Sequence, residues 1–234
     1  MTARSTVKEI ALEHGWHATF MPKPLGDSNG SGMHTHLMLM QGGRNVLSEE
    51  GDPGQLSAVG RAFVAGQLRH AREISAVLAQ WVNSYKRLVP GYEAPVYVAW
   101  SRRNRSALLR VPGATGAVSG SIELRGPDPA CNPYLAFAAM LQAGLEGIEQ
   151  GYELPEPMER NLYHLTASER RRLGVESLPE SLGDAIELAA DSELMLKTLG
   201  EHMLDRFVEM KRREWLEYRV LVTGWERDRY LPVL

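Results

Sequence analysis

SIELRGPDPACNPYLAFAAMLQAGLEGIEQG, residues 121–151, contains the transition on which the fold reading turns. SIELR reads as a strand. Asn132 then supplies a helix cap and Pro133 a first-turn proline. The helix runs to Gly151, with Leu135, Met140, Leu141, Leu145 and Ile148 expected inward. Upstream, VYVAW (96–100) and ALLRV (107–111) lean toward β, HATFMP (17–22) reads as a strand, and Met33 to Met40 alternates with period two. Two helices interrupt these runs. One is short, capped by Ser5 and stopped at Gly15; the other is long, with apolar residues at helical spacing from Pro53 to Trp81. Downstream, Ser181 with Asp184 starts a helix and a charged amphipathic helix spans Glu201 to Val222, while Leu154 to Pro179 reads as irregular surface. Strands concentrated before residue 126 and helices after it predict one α+β domain.

Composition narrows the function classes. The 234 residues carry 26 Lys+Arg against 29 Asp+Glu, a formal net charge of -3. That removes a bulk electrostatic case for nucleic acid or an anionic membrane. Cys131 is the only cysteine, so no internal disulfide can form, which suits a reducing compartment. The longest apolar run, Tyr134 to Leu141, falls far short of the ~18 residues of a membrane span. No secretory leader is read at the N-terminus, and the expectation is a cytoplasmic chain.

Several residues could carry chemistry. PLGDSNGSG (24–32) is a loop whose glycines let backbone approach a ligand. His34 and His36 fall on one strand face with Met38 and Met40, a spacing open to metal, phosphate or plain packing. Glu123 and Arg125 share a strand face, either as a surface ion pair or as site groups. Lys86, Arg87, Arg102, Arg103, Arg105, Arg110 and Arg125 cluster in loops and at strand ends. They make either a solvated face or a receptor for carboxylate and phosphate, which guanidinium matches in bidentate fashion. Loop, histidines, arginines and one carboxylate together suggest phosphoryl transfer with a hard metal such as Mg²⁺.

At these residues the chain resembles a known family. FMPKPLGDSNGSGMHTH (20–36), NSYKRLVPGYEAPVYVAWSRRNRSALLRVP (83–112) and IELRGPDPACNPYLAFAAMLQAGLEGI (122–148) closely resemble the signature segments of glutamine synthetase, in the family's order. NLYHLT (161–166) and the terminal RYLPVL (229–234) look similar too. The resemblance implies ATP-dependent ligation of ammonia to glutamate through γ-glutamyl phosphate, with Mg²⁺ or Mn²⁺, on a curved, mainly antiparallel sheet packed by long helices. It implies His34 and Glu123 as metal ligands and Asn29 and Gly30 as glutamate contacts. Arg87 is similar to the arginine on the α-carboxylate and Arg125 to the one near the γ-carboxylate. Arg105 and Arg110 resemble the phosphoryl and nucleotide arginines, His36 the histidine near the nucleotide, and Glu93 the flap glutamate that takes a proton from ammonium. Tyr163 lies where some members carry an adenylylated tyrosine, and reads equally as an ordinary surface residue.

Departures from the family pattern are also legible. Val118 and Ser121 stand where basic nucleotide contacts are usual, and Met38 replaces a common serine. Family members are roughly twice this length. The expectation is therefore the C-terminal part of a catalytic domain (residues 1–234), without the β-grasp domain and the segments that hold further glutamate metal ligands. Before His34 the acids are Glu9, Glu13 and Asp27, none in such a motif. Expected partners are glutamate, ammonia and ATP, with assembly into a ring or with an N-terminal half. The competing readings are a catalytically incomplete binding or structural partner, and a γ-glutamyl ligase for another amine.

Overall fold

The computed structural model describes residues 2–50, 52–112 and 120–234; Val118 lies outside them. Helix α1 (Thr2–Glu13) precedes strands β1 (Thr35–Leu37), β2 (Met40–Gln41), β3 (Arg44–Asn45), β4 (Ser48–Glu49) and β5 (Asp52–Leu56). Helices α2 (Ala58–Arg69), α3 (Ser75–Leu78) and α4 (Val82–Arg87) lead to β6 (Tyr97–Ser101), β7 (Ala107–Arg110) and β8 (Ile122–Leu124). Then follow α5 (Pro133–Gln150), a 3-10 turn at Leu162–His164, α6 (Ala167–Arg172) and β9 (Glu176–Ser177). The chain ends with α7 (Leu182–Ala190), α8 (Glu193–Leu199), α9 (Glu201–Arg219) and α10 (Gly224–Tyr230). The α+β class expected from the strand-then-helix order holds.

The main sheet has the order β1-β8-β7-β6-β9. Its pairings are antiparallel except β6 with β7, which run parallel. Parallel neighbours normally need a long crossover. Here residues 102–106 alone return the chain, and that tight turn must be held open. Ser101 Oγ donates to Asn104 O at 3.0 Å and accepts from Asn104 N at 2.9 Å. Met33, Leu37 and Leu39 turn toward the core, while His34, His36, Met38 and Met40 face outward, as period two requires.

Several sequence expectations are corrected. HATFMP forms no strand; Pro22 and Pro24 remove donors a ladder would need. The strand expected over Met33–Met40 is reduced to β1 and the start of β2. The helix expected from Pro53 to Trp81 is broken. Ser57 caps α2, its Oγ accepting from Gly60 N at 3.0 Å, and Trp81 instead caps the start of α4. Helix α1 starts at Thr2, ahead of Ser5. Leu154–Pro179 is not mere surface: Leu154, Leu162, Leu165 and Leu178 are buried, and β9 joins the sheet edge.

The cap and stop of α5 are as expected, with Asn132 Oδ1 accepting from Tyr134 N at 3.0 Å and Gly151 at φ 63°. Its inward face keeps Met140 buried and Leu135 and Ile148 packed against the core, as expected, but small residues dominate it. Ala136, Ala139, Met140, Ala143, Gly144 and Gly147 are buried, whereas Leu141 is exposed. The reason is the close crossing with α2. A Cβ on Gly66 would stand 2.1 Å from Ala143 O, and one on Gly147 would stand 2.2 Å from Ala62 O. Small residues let the two backbones touch, and Phe63 packs where Gly144 leaves room.

Gly147→Ala should therefore destabilise the fold, reversing the usual gain from replacing glycine within a helix. Overpacking of this kind costs about 1–3 kcal/mol. At this size each kcal/mol lowers the melting midpoint by roughly 2–4 °C. Thermal unfolding followed by circular dichroism checks it; an unchanged or raised midpoint would mean that the helices do not cross at these glycines.

Candidate active site

Strand register assembles the centre of the site. Glu123 on β8 lies opposite His36 on β1 and opposite Arg110 on β7. Its carboxylate, nearly fully buried, is held from both sides. Oε1 meets His34 Nδ1 at 2.9 Å, and Oε2 meets the Arg110 guanidinium at 2.5 Å. Burial would raise this carboxyl, but the His34 hydrogen bond and the Arg110 charge outweigh it and hold it below the usual range. The strand ion pair with Arg125 is not formed. Arg125 instead donates to the carbonyls of Arg105 and Ala107, the latter at 3.3 Å. His36 Nδ1 pairs with Ser121 Oγ at 2.9 Å, so the serine noted as a departure supports the second histidine.

The His34–Glu123 contact suits a shared cation. Two donors about 2.1 Å from one octahedral metal and at right angles to each other stand roughly 3 Å apart. The pair fits that geometry as part of a ligand set. Among the described residues no group of three or more His, Cys, Asp or Glu could hold a metal, so water, phosphate oxygens or other carboxylates must complete the shell.

A second set of contacts joins the glycine loop to α4. A Cβ on Gly30 would lie 2.5 Å from Pro22 O and 2.9 Å from Arg87 Cγ, and one on Gly32 would lie 2.6 Å from an Arg87 nitrogen. Only glycine lets the loop seat against that arginine. Asn29 is exposed at the tip. Arg87 itself is 3% exposed. It donates to the carbonyls of Gly126 (2.9 Å), Pro127 (3.3 Å) and Arg125 (3.1 Å), and burial draws its pKa down to about 10. It thus orders the segment that follows Arg125 as well as lying beneath Gly30.

Arg102, Arg103 and Arg105 project from the exposed turn 102–106, and Glu93 is exposed on the turn before β6. Tyr163 is half-buried, and its hydroxyl donates to Ala94 O at 2.6 Å. Burial raises its phenol, which also feels the charges of Arg125, Glu93 and Arg87.

Sequence reasoning missed the residues that hold these loops. Lys23 and Asn83 exchange two hydrogen bonds, Lys23 N to Asn83 Oδ1 at 2.8 Å and Asn83 Nδ2 to Lys23 O at 3.0 Å. Asn104 donates to Met158 O at 3.0 Å, and Glu159 accepts from Arg102 N at 2.7 Å. Asp128 is fully buried, its carboxyl raised by that burial, and accepts from Ala130 N at 2.9 Å. Asn104 falls within a quoted motif, but its spacing gave no sign that its partner lies beyond residue 150.

Comparison with known proteins places the whole chain in one family. Residues 1–230 match the family described as glutamine synthetase, catalytic domain. Glutamine synthetase of Thermotoga maritima is 50% identical over 230 residues, covering 98% of this chain and 52% of the relative. That of Mycobacterium tuberculosis is 52% identical over 235 residues, covering 100% and 53%. The solved structure titled a GmaS/ADP complex superposes with a TM-score of 0.87 at 35% identity, covering 98% of this chain and 52% of that one. The chain spans about half the length of the curated relatives it matches. With residues 1–230 matched and identity near one half along the whole chain, this protein belongs to the glutamine synthetase catalytic-domain family.

Proposed function

We propose that this chain is the C-terminal part of a glutamine synthetase catalytic domain and supplies that part of an ATP-dependent glutamate–ammonia ligase site. The observation that carries the reading is the buried Glu123 carboxylate fixed between His34 and Arg110. It is supported by the family match and by the similar fold of a GmaS/ADP complex. The reading assigns the chain to the cytoplasm, in a ring of copies or with an N-terminal half.

A carboxylate is a poor electrophile, so a glutamate γ-carboxylate oxygen attacks the γ-phosphorus of ATP and ADP leaves. Ammonia then attacks the acyl phosphate and phosphate leaves. Arg105 and Arg110 offset the charge on the transferring phosphoryl group, and Arg125 orients the γ-carboxylate. Asn29 and Gly30 contact glutamate, with the Arg87 charge buried beneath Gly30 favouring its α-carboxylate, and His36 is the group for the nucleotide. Glu93 takes the proton from ammonium. His34 and Glu123 would hold a divalent cation, Mg²⁺ or Mn²⁺, whose charge would offset that of phosphate and carboxylate.

Two donors are too few to fix such a cation, which favours a site completed by another segment. The chain alone should give no hydroxylamine-trapped γ-glutamyl product, and the chain with the N-terminal half of a close relative should give it. Robust turnover by the chain alone would contradict the ligand inventory. Silence in both, with each part folded, would favour a binding or structural partner instead.

Glu123→Gln should weaken metal-dependent ADP binding roughly tenfold or more, since loss of even an outer metal-site partner costs that much. Calorimetric titration with Mn²⁺ and ADP, beside an unchanged circular dichroism spectrum, checks it. Equal affinity in the variant would reduce Glu123 to an ion-pair residue.

A further inference from the structure

Among the described residues Glu93 is the only non-glycine residue with positive φ, at 56°. A side chain is retained in that region only where its surroundings over-determine it. Two contacts bracket the turn. On one side the Tyr163 hydroxyl donates to the carbonyl of Ala94, the next residue, at 2.6 Å. On the other the Lys23 ammonium lies 3.8 Å from the ring centroid of Tyr92, the preceding residue.

Both anchors are themselves fixed. Lys23 is 7% exposed, its ammonium also donates to Ser28 O, and its backbone is clasped by Asn83. Tyr163 N donates to Asn161 Oδ1 at 3.0 Å, and its ring lies 6.1 Å from that of Tyr97. The neighbouring Leu162 N donates to Ser106 Oγ at 3.0 Å, so the strand of chain bearing Tyr163 also holds the arginine turn. The Glu93 turn is thereby tied through Tyr163 to the arginine turn 102–106, and through Lys23 to the glycine loop 24–32.

We propose that Tyr163 and Lys23 are positioning residues for Glu93, pinning its turn from two sides so that the carboxylate stands at a fixed place relative to the arginine turn and the glycine loop. The consequence for catalysis rests on the reading of Glu93 as the group that takes the ammonium proton. Tyr163→Phe keeps the ring and removes only the donor; Lys23→Met keeps the stem and removes the charge.

Nitrogen-15 relaxation of the full 234-residue chain reads the pinning without any need for activity. In each variant the amide order parameters of residues 92–94 should fall from about 0.85, the rigid-backbone value, to below about 0.6, with β7 and β8 unchanged. Unaltered order parameters at 92–94 in both variants overturn the proposal, as does a fall spread evenly over the sheet. With the N-terminal half added, Tyr163→Phe should slow glutamine formation from ammonium more than product formation from hydroxylamine, which arrives neutral. A local fall in order with an unchanged ratio of the two rates upholds the pinning and overturns the proton-taking role given to Glu93.

Discussion

The Glu123 carboxylate, caught between His34 and Arg110, is the interaction on which the rest of the site depends. A nearly buried anion is costly unless it is paired and hydrogen-bonded, and here one oxygen meets His34, just before β1, and the other meets Arg110 on β7. The register β1-β8-β7 is therefore tied to chemistry as well as to packing. A slip of one residue would turn Glu123 to the other face of the sheet and leave Arg110 facing no anion. The outward face of β1 keeps the histidines available, while Leu37 and Leu39 anchor the same segment in the core.

Around that centre the loops are positioned by backbone hydrogen bonds more than by ion pairs. Arg87 and Arg125 are arginines whose donors point largely at carbonyl oxygens. Their charge remains in the site while their hydrogen bonds fix the path of residues 105–107 and 125–127. Asn104, Glu159 and Tyr163 perform the same service for the turns that carry Arg105 and Glu93. Beneath the sheet, α2 and α5 meet through glycine and alanine, which gives a rigid support with little side-chain volume between the helices.

Much of this was legible in the sequence, for identifiable reasons. The Asn132–Pro133 start and Gly151 stop of α5 are local signals, and local geometry realises them. Period two puts His34 and His36 on one face, and both stay outward although His34 precedes β1. Of the two alternatives open for Glu123, the ion pair with Arg125 is absent, because spacing along one strand says nothing of partners on neighbouring segments; His34 and Arg110 take that place. On α5 the expected Leu135, Met140 and Ile148 reach the core but Leu141 does not, because hydrophobicity alone does not say which face meets another helix backbone. The segment 154–179 reads as surface because Pro155, Pro157 and Pro179 interrupt any periodicity; it holds the 3-10 turn, α6 and β9, and buries Leu154, Leu162, Leu165 and Leu178 at spacings that no single period announces.

The central claim is that His34, just before β1, and Glu123, on β8, are this chain's share of a divalent metal site. Electron spin echo spectroscopy of Mn²⁺ bound with ADP to the chain assembled with the N-terminal half of a close relative, with this chain's histidine nitrogens labelled, tests it most directly. The account predicts coupling to one histidine nitrogen that disappears in His34→Gln and persists in His36→Gln. No labelled-histidine coupling in the unmodified assembly, or a coupling that survives His34→Gln, would contradict it.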